Sequence, residues 1–333
     1  MSYFLHELNL LPPQERGVTM VLDRLSYSDG ALPALFSGFA DVIKIGWGLP
    51  LLMDEKELKQ RVACYRDAGL HVSNGGTLLE SAYLKGSHAR AVRRLAQAGF
   101  DTLEISEGTV EIARSAIREM ADLARKEGMR LHFEVGRKNP RNQLSLDETI
   151  SRLEAALDLE PDMLIVEGRE TGRGVEIYDE NGEIKWDWVE EILRSIPADK
   201  LMFEAPLEKQ QTELVLRIGN GVNLGNVAFA SIASLATQRY GLRGDTLGAL
   251  THPSRLSGPP SARFIHYVLM NHGPMDQSAI MKTTGLDRRT VQSALSKLLS
   301  EGFVVERQDV RDLRRRVYAL APGSSRAASV SSS

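Results

Sequence analysis

DTLEIS (101–106), RLHFEVG (130–136), MLIVEGR (163–169) and LMFEAP (201–206) are four apolar runs of strand length, each with a glutamate near its C-terminal end. These residues, Glu104, Glu134, Glu167 and Glu204, follow one another at 30, 33 and 37 residues, about the length of one strand-plus-helix unit. A glycine, proline or polar turn comes after each. A carboxylate is therefore expected at the C-terminal end of four successive parallel strands. Four carboxylates on one rim repel, and burial without a counter-charge raises their pKa values. A divalent cation with nearby Lys and Arg resolves the conflict, which predicts an active site as well as a core.

Four further runs read as buried strands: GVTMVLD (17–23), DVIKIGW (41–47), HVSNGG (71–76) and VNLGNV (222–227). Helical patterns lie between the strands, among them DEKELKQRVACYRDAG, ARAVRRLAQAGF, VEIARSAIREMADLARKEGM, LDETISRLEAALDLEP and KQQTELVLRIGN. Several are closed by a glycine suited to a helix C-cap. Eight such repeats in about 250 residues predict an α/β fold, the (β/α)8 TIM barrel, with reactive groups at the C-terminal strand ends. A doubly wound open sheet is the rival. The count of eight, and carboxylates spread over four strands, favour the barrel.

THPSRLSGPPS (251–261) reads as a linker. Three helical patterns follow, SARFIHYVLMNHG, DQSAIMKTTG and DRRTVQSALSKLLSEG, then two strands around a charged turn in FVVERQDVRDLRRRVYALA. Asp287 is expected to N-cap the third helix and Gly302 to close it. This order is a winged helix-turn-helix. The expected division is a barrel over 1–250, a linker over 251–260, a winged-helix domain over 261–322 and a disordered tail over 323–333.

Of the 333 residues, 42% are hydrophobic and 26% charged, ordinary for a soluble globular protein. The single cysteine, Cys64, excludes an internal disulfide framework and a Cys-rich zinc site. No apolar stretch has the length of a membrane span, and the N-terminal residues lack the basic and apolar regions of a secretion signal. A cytoplasmic location without a membrane partner is expected. The net charge of -3 is uneven: residues 261–321 carry ten Lys/Arg and six Asp/Glu, whereas the first 260 carry 30 and 38, and Arg326 completes the balance. Regions of opposite sign point to different partners.

RGVTMVLDR, VIKIGWG, GGTLLE, LEISEGT, FEVGRKNP, IVEGRETGRG, FEAPLEKQQ, VNLGNVAF and YGLRGDTLG occur in this order along the chain. In this series, residues from about 15 to 250 resemble the phosphosulfolactate synthase family. The resemblance implies a TIM barrel, Mg2+ dependence and addition of sulfite to phosphoenolpyruvate to give (2R)-phosphosulfolactate, the work of a carbon–sulfur lyase run as a synthase. It implies that Lys138 is the general acid, because the family's EVGKK reads EVGRK here, with Arg137 in place of the first lysine. LDKG reads LDRL at 22–25, GWGT reads GWGL with Leu49, and EISDG reads EISEG with Glu107. These departures leave a different substrate open. In the family the product leads to coenzyme M or to sulfolactate.

Such a reaction brings anions together, and the candidate residues fit that task. Lys138, just past the fifth strand, either reaches over the mouth or is a solvated loop lysine. Arg137 and a nearby metal are expected to bring its pKa toward neutrality. Lys44 interrupts an apolar strand, where an inward lysine paired with a glutamate and aimed at an anion is expected. Gly75, Gly76 and Thr77 open a helix bearing Glu80 and expose amides for phosphate or sulfite, although Gly-Gly is also ordinary turn chemistry. Arg169 and Arg173 offer forked donors for phosphate, with Gly168, Gly172 and Gly174 letting their loop move as a lid. Arg243 binds phosphate or pairs with Asp245. Asn223 and Asn226 are expected to orient ligand or water. The metal candidates are Glu104, Glu134, Glu167, Glu204 and Asp23. Mg2+ takes one or two carboxylates and keeps waters, so two or three would bind it and the rest would hold Lys or Arg. The plainer alternative is a charge network that only orders the mouth. His132, two residues before Glu134, belongs to the same interior face.

In the C-terminal segment, Arg288, Arg289, Gln292 and Ser293 stand near the start of the third helix, where a recognition helix meets base edges. Arg314, Arg315 and Arg316 in the hairpin suit phosphate contact. The segment resembles the winged-helix domains of MarR-like regulators. That implies DNA as a partner, with protein interaction or dimerisation as the alternative. A homo-oligomer is expected. Two functions stand open: an enzyme with a winged-helix appendage, or a transcription regulator whose barrel binds a phosphorylated or sulfonated metabolite without turnover.

Overall fold

The computed structural model describes residues 16–25, 36–139, 141–244, 246, 259–300, 303–309 and 312–320. The eight expected strands form as β1 (Thr19–Asp23), β2 (Val42–Ile45), β3 (His71–Ser73), β4 (Thr102–Ser106), β5 (Arg130–Val135), β6 (Met163–Val166), β7 (Leu201–Glu204) and β8 (Asn223–Ala228). They pair in chain order into a closed barrel, and β1 runs parallel to both β2 and β8. Helix α1 (Glu55–Asp67) follows β2, and α2 (Thr77–Leu84) and α3 (His88–Gln97) follow β3. Then α4 (Arg114–Lys126), α5 (Leu146–Leu157), α6 (Trp186–Ser195), α7 (Glu208–Ile218) and α8 (Ile232–Arg239) each follow one strand.

The strands are apolar on both faces because helices cover one side and the barrel interior the other. Alternation along each strand sorts the side chains. Met20, Val42, Met163, Ile165 and Met202 pack together as the inner floor. Two residues further along β2 and β7, Lys44 and Glu204 share that inward direction, one layer nearer the C-terminal mouth. Local chemistry sets the helix starts: Asp54 caps α1 by accepting from Lys56 N–H, and Ser145 with Glu148 forms a capping box on α5. In β8 the pairing with β1 slips from Thr19–Leu224 to Val21–Val227. Asn226, at φ 52°, lies within that bulge, which re-aims its side chain.

The LDRL departure has a visible cost. Leu25 sits at φ 61° with its N–H on Asp23 Oδ1 at 2.8 Å, a left-handed conformation that favours glycine. Its side chain is 43% exposed, so little packing offsets the strain. Leu25→Gly is expected to stabilise the fold by about 1 kcal/mol, raising Tm by about 2–4 °C. Thermal unfolding followed by circular dichroism checks this.

One compact unit comprises residues 15–215 and 220–240. The second unit takes in the described residues after Tyr240 and builds α9 (Pro260–His272), β9 (Met275–Asp276), α10 (Gln277–Thr284), α11 (Arg288–Ser300), β10 (Val304–Asp309) and β11 (Asp312–Leu320). Its three strands lie in the order β10-β11-β9, the winged arrangement. Ile265, Leu269, Ile280, Val291, Leu295 and Leu298 are among its core residues. Asp276 caps α10, accepting from Ala279 N–H at 2.8 Å. Asp287 caps α11 as expected, accepting from Thr290 N–H at 2.9 Å. Gly302, the linker up to residue 258 and the tail lie outside the described residues. Among the described residues no helix is long and apolar enough to cross a membrane.

Candidate active site

Lys44 is the electrostatic centre of the mouth. Its Nζ lies 2.9 Å from Glu104 Oε1, 3.0 Å from Glu134 Oε2 and 2.9 Å from Glu204 Oε1, and all four residues are buried. An ammonium has three donors, and here each meets a carboxylate. Lys44 lines the cleft, and the expected pairing with one glutamate extends to three. Burial pulls its pKa down, yet the three glutamates outweigh burial and hold it well above the ordinary lysine value.

Lys138 is the second cation. Its Nζ lies 3.2 Å from Glu134 Oε1 and 3.8 Å from Glu167 Oε2, and it donates to Thr77 Oγ1 at 3.2 Å. It reaches over the mouth, as the first of the two readings has it. Without a metal ion the expected lowering does not arise. Burial does press it down, but Glu134 and Glu167 prevail and hold it above its usual value. Arg137 exerts no such pressure, because its guanidinium turns away to Glu107 and Glu111.

The carboxylates differ among themselves. Burial, with repulsion from Glu134 and Glu204, pushes Glu104 up to about 7 against the pull of Lys44. Burial likewise raises Glu167, helped by Glu134 and Glu204. Glu134 is held low: burial opposes its ionisation, but Lys138 and Lys44 together win. Glu104 and Glu167 bind protons in the folded state that they release when unfolded at the same pH. Stability of the metal-free protein is therefore expected to be fuller near pH 4.5 than above about 7, falling as pH rises through that window. Denaturant titrations at pH 5, 6, 7 and 8 with a chelator present would show the trend.

Glu134, Glu167 and Glu204 each offer an oxygen within 4.8 Å of the others. Glu134 Oε1 and Glu167 Oε2 are buried without a hydrogen-bond partner; the ion pair to Lys138 at 3.2 Å lies off hydrogen-bond geometry. Orphaned buried carboxylate oxygens in a hard-donor set fit a divalent cation. The other oxygens are committed: Glu204 Oε2 accepts from Gly168 N–H at 3.0 Å and Glu167 Oε1 from Arg169 N–H at 2.8 Å. Glu104 stands apart from this trio, holding Lys44 and the Gly76 amide.

Asp23 is not brought to the cation site. It alternates outward, where Arg61 Nε and Nη2 donate to it at 2.6 and 2.7 Å and Tyr65 Oη at 2.9 Å. Its carboxylate ties β1 to α1. Asn223 is also corrected. Its Oδ1 accepts from Val18 N–H at 2.8 Å and its Nδ2 donates to the Leu201 carbonyl at 2.7 Å, all at the N-terminal end of the barrel, away from the mouth. Asn226, re-aimed by the bulge, lines the cleft.

Gly75, Gly76 and Thr77 do line the cleft, but the Gly76 amide is engaged by Glu104 at 2.8 Å. A Cβ at Gly76 would lie 2.2 Å from Ser106 Oγ, so only glycine allows this approach. Arg169 lines the cleft, its Nη2 3.5 Å from Glu170 Oε1. Arg173 is exposed and does not line the cleft. Its loop is no free lid, for Gln210 Nε2 ties the carbonyls of Gly172 and Gly182 at 2.7 and 2.9 Å. Arg243 falls in the second unit, and Asp245 lies outside the described residues. His132 is buried on the interior face, where burial lowers it to about 4 and keeps the ring neutral. Trp47, at φ 57° and 53% exposed, is a cleft residue that the sequence reading passed over, although flanking glycines marked it.

In the second unit, Arg288, Arg289, Gln292 and Ser293 are all exposed on α11. Arg316 pairs with Glu306 at 2.7 Å, and Arg314 and Arg315 lie in β11.

Comparison with known proteins finds two matching stretches. Residues 10–245 match the family model "(2R)-phospho-3-sulfolactate synthase (ComA)", and residues 265–323 match "Sugar-specific transcriptional regulator TrmB". The chain is 35% identical over 244 residues to the phosphosulfolactate synthase of Methanocaldococcus jannaschii, covering 70% of this chain and 95% of that protein. It is 38% identical over 240 residues to that of Methanothermobacter thermautotrophicus, covering 71% and 93%. With the Bacillus subtilis phosphosulfolactate synthase it shares 29% over 241 residues, covering 70% and 93%. On this extent of similarity, the chain belongs to the phosphosulfolactate synthase family.

Proposed function

We propose that the barrel adds sulfite to phosphoenolpyruvate, giving (2R)-phosphosulfolactate, with Mg2+ held by Glu134, Glu167 and Glu204. Lys138 carries this assignment: its ammonium stands 3.2 Å from Glu134, beside a carboxylate trio in which Glu134 and Glu167 each keep a partnerless oxygen. A magnesium ion held there would supply positive charge where the substrate's own carboxylate becomes more negative. Sulfite sulfur forms the new bond to the methylene carbon, and the carbon–carbon π pair moves toward the carboxylate. Lys138 then gives its proton to the phosphate-bearing carbon. Glu134 and Glu167 beside it favour the protonated form, the one a donor needs. Thr77 steers its Nζ, Lys44 holds the glutamates in register, and Arg169 at the rim is placed for an oxyanion.

The test is product formation from phosphoenolpyruvate and sulfite with Mg2+, with and without a chelator. Product that disappears on chelation supports the proposal. Binding of phosphoenolpyruvate without any product would favour the second reading, a metabolite-sensing regulator. The match of residues 265–323 to a transcriptional regulator family keeps that reading in view. In either case α11 is proposed to meet DNA through Arg288, Arg289, Gln292 and Ser293. Mobility shift with fragments of the source genome, repeated for Arg288→Ala/Arg289→Ala at several salt concentrations, decides this.

A further inference from the structure

We infer that Arg137 is a positioning residue that fixes Lys138 in place, an inference that rests on the synthase reading above. Arg137 is buried although it belongs to the turn leaving β5. Four of its polar groups are engaged. Its N–H donates to Glu176 Oε1 at 3.1 Å and its carbonyl accepts from Gln143 Nε2 at 2.6 Å. Its Nη1 donates to the Glu107 carbonyl at 3.2 Å and its Nη2 to Glu111 Oε1 at 2.5 Å. Glu176 is buried and anchored in turn by Thr149 Oγ1 of α5 at 2.9 Å. The side chain thus braces the segment after β5 against the segment after β4.

Lys138 depends on that second segment directly. Its N–H donates to the Gly108 carbonyl at 2.9 Å. Its stem runs across Gly108, where a Cβ would lie 2.9 Å from both Cγ and Cε. The surface on which Lys138 rests is therefore the one that Arg137 grips on either side, at Glu107 and Glu111. A planar fork serves a carbonyl and a carboxylate together at fixed angles, which a single ammonium on a flexible stem does not do. The arginine of EVGRK is accordingly matched to Glu107 and Glu111 and is not interchangeable with lysine.

Three variants of the full chain test this: Arg137→Ala, Arg137→Lys and Glu111→Gln, the last at an exposed side chain whose loss does not threaten folding. Arg137→Ala is expected to lower kcat about a hundredfold with KM for both substrates little changed, because misplacing a proton donor by an ångström harms the step more than binding. Arg137→Lys should recover only part of the loss, and Glu111→Gln should show a smaller loss of the same kind. Amide hydrogen exchange over 136–143 should quicken in each variant while the barrel strands stay protected. Wild-type kcat in Arg137→Ala, or a KM rise without a kcat loss, overturns the inference. Should the wild type itself give no product, the synthase reading fails. Exchange alone then decides whether Arg137 holds the Lys138 segment, and unchanged protection rejects it.

Discussion

Lys138→Ala is expected to lower kcat by roughly a thousandfold or more, the upper range for a general acid, while phosphoenolpyruvate still binds in the presence of Mg2+. Lys138 contacts Thr77, Glu134 and Glu167 and is not the residue that holds the mouth together. Its removal takes away the proposed proton source and leaves the Lys44 centre intact. Lys138→Arg sharpens the test, since a guanidinium keeps the charge but does not give up its proton. Single-turnover rates with calorimetric binding separate the two effects. A variant that binds and still turns over within tenfold of wild type would move the proton donor elsewhere.

Lys44→Met should act on stability more than on any single chemical step. It strips the common partner from Glu104, Glu134 and Glu204, all buried. Leaving buried charge unpaired costs about 3–5 kcal/mol, which corresponds to a fall in Tm of about 10 °C or more. The sign of its pH dependence is fixed by the same geometry. Without the ammonium Glu104 rises further and Glu134 loses part of what holds it low, so protonation relieves the variant, and its deficit should shrink from pH 8 to pH 5. Added Mg2+ should restore part of the loss by binding only the folded form. Denaturant midpoints at both pH values, with and without metal, check all of this. A deficit indifferent to pH would mean that the glutamates are not ionised around Lys44.

The barrel was legible because parallel strands must be apolar on both faces, so LHFEV and MLIV stand out as runs, and because glutamates in such runs have no structural excuse. Direction was harder to read. Asp23 ends β1 and Glu104 lies two residues before the end of β4, but Asp23 falls on the outward parity and meets Arg61 and Tyr65 of α1. Parity can be counted only once a neighbour's register is known. Asn223 opens β8 at the N-terminal end of the barrel, whereas Asn226 lies within a bulge no residue type announces, which turns it to the cleft. The reach of Lys138 could be expected from its place after β5. The turning of Arg137 away from it could not, since Glu111 and the Glu107 carbonyl are 26 and 30 residues distant and local pattern carries no such pairing. The winged unit was readable from caps and periodicity, Asp287 above all, because those signals are local.

The Glu80 side chain reaches from α2 to the next turn of the rim, accepting from the amides of Gly108, Thr109 and Val110 at 3.2, 2.9 and 2.9 Å. Gly108 in turn receives the Lys138 amide. Successive rim segments are therefore clasped to one another, like hoops sharing pins. Anyone grafting loops from a relative to redirect this barrel should expect single-segment swaps to fail and matched sets, 75–80 with 106–111 and 136–143, to succeed.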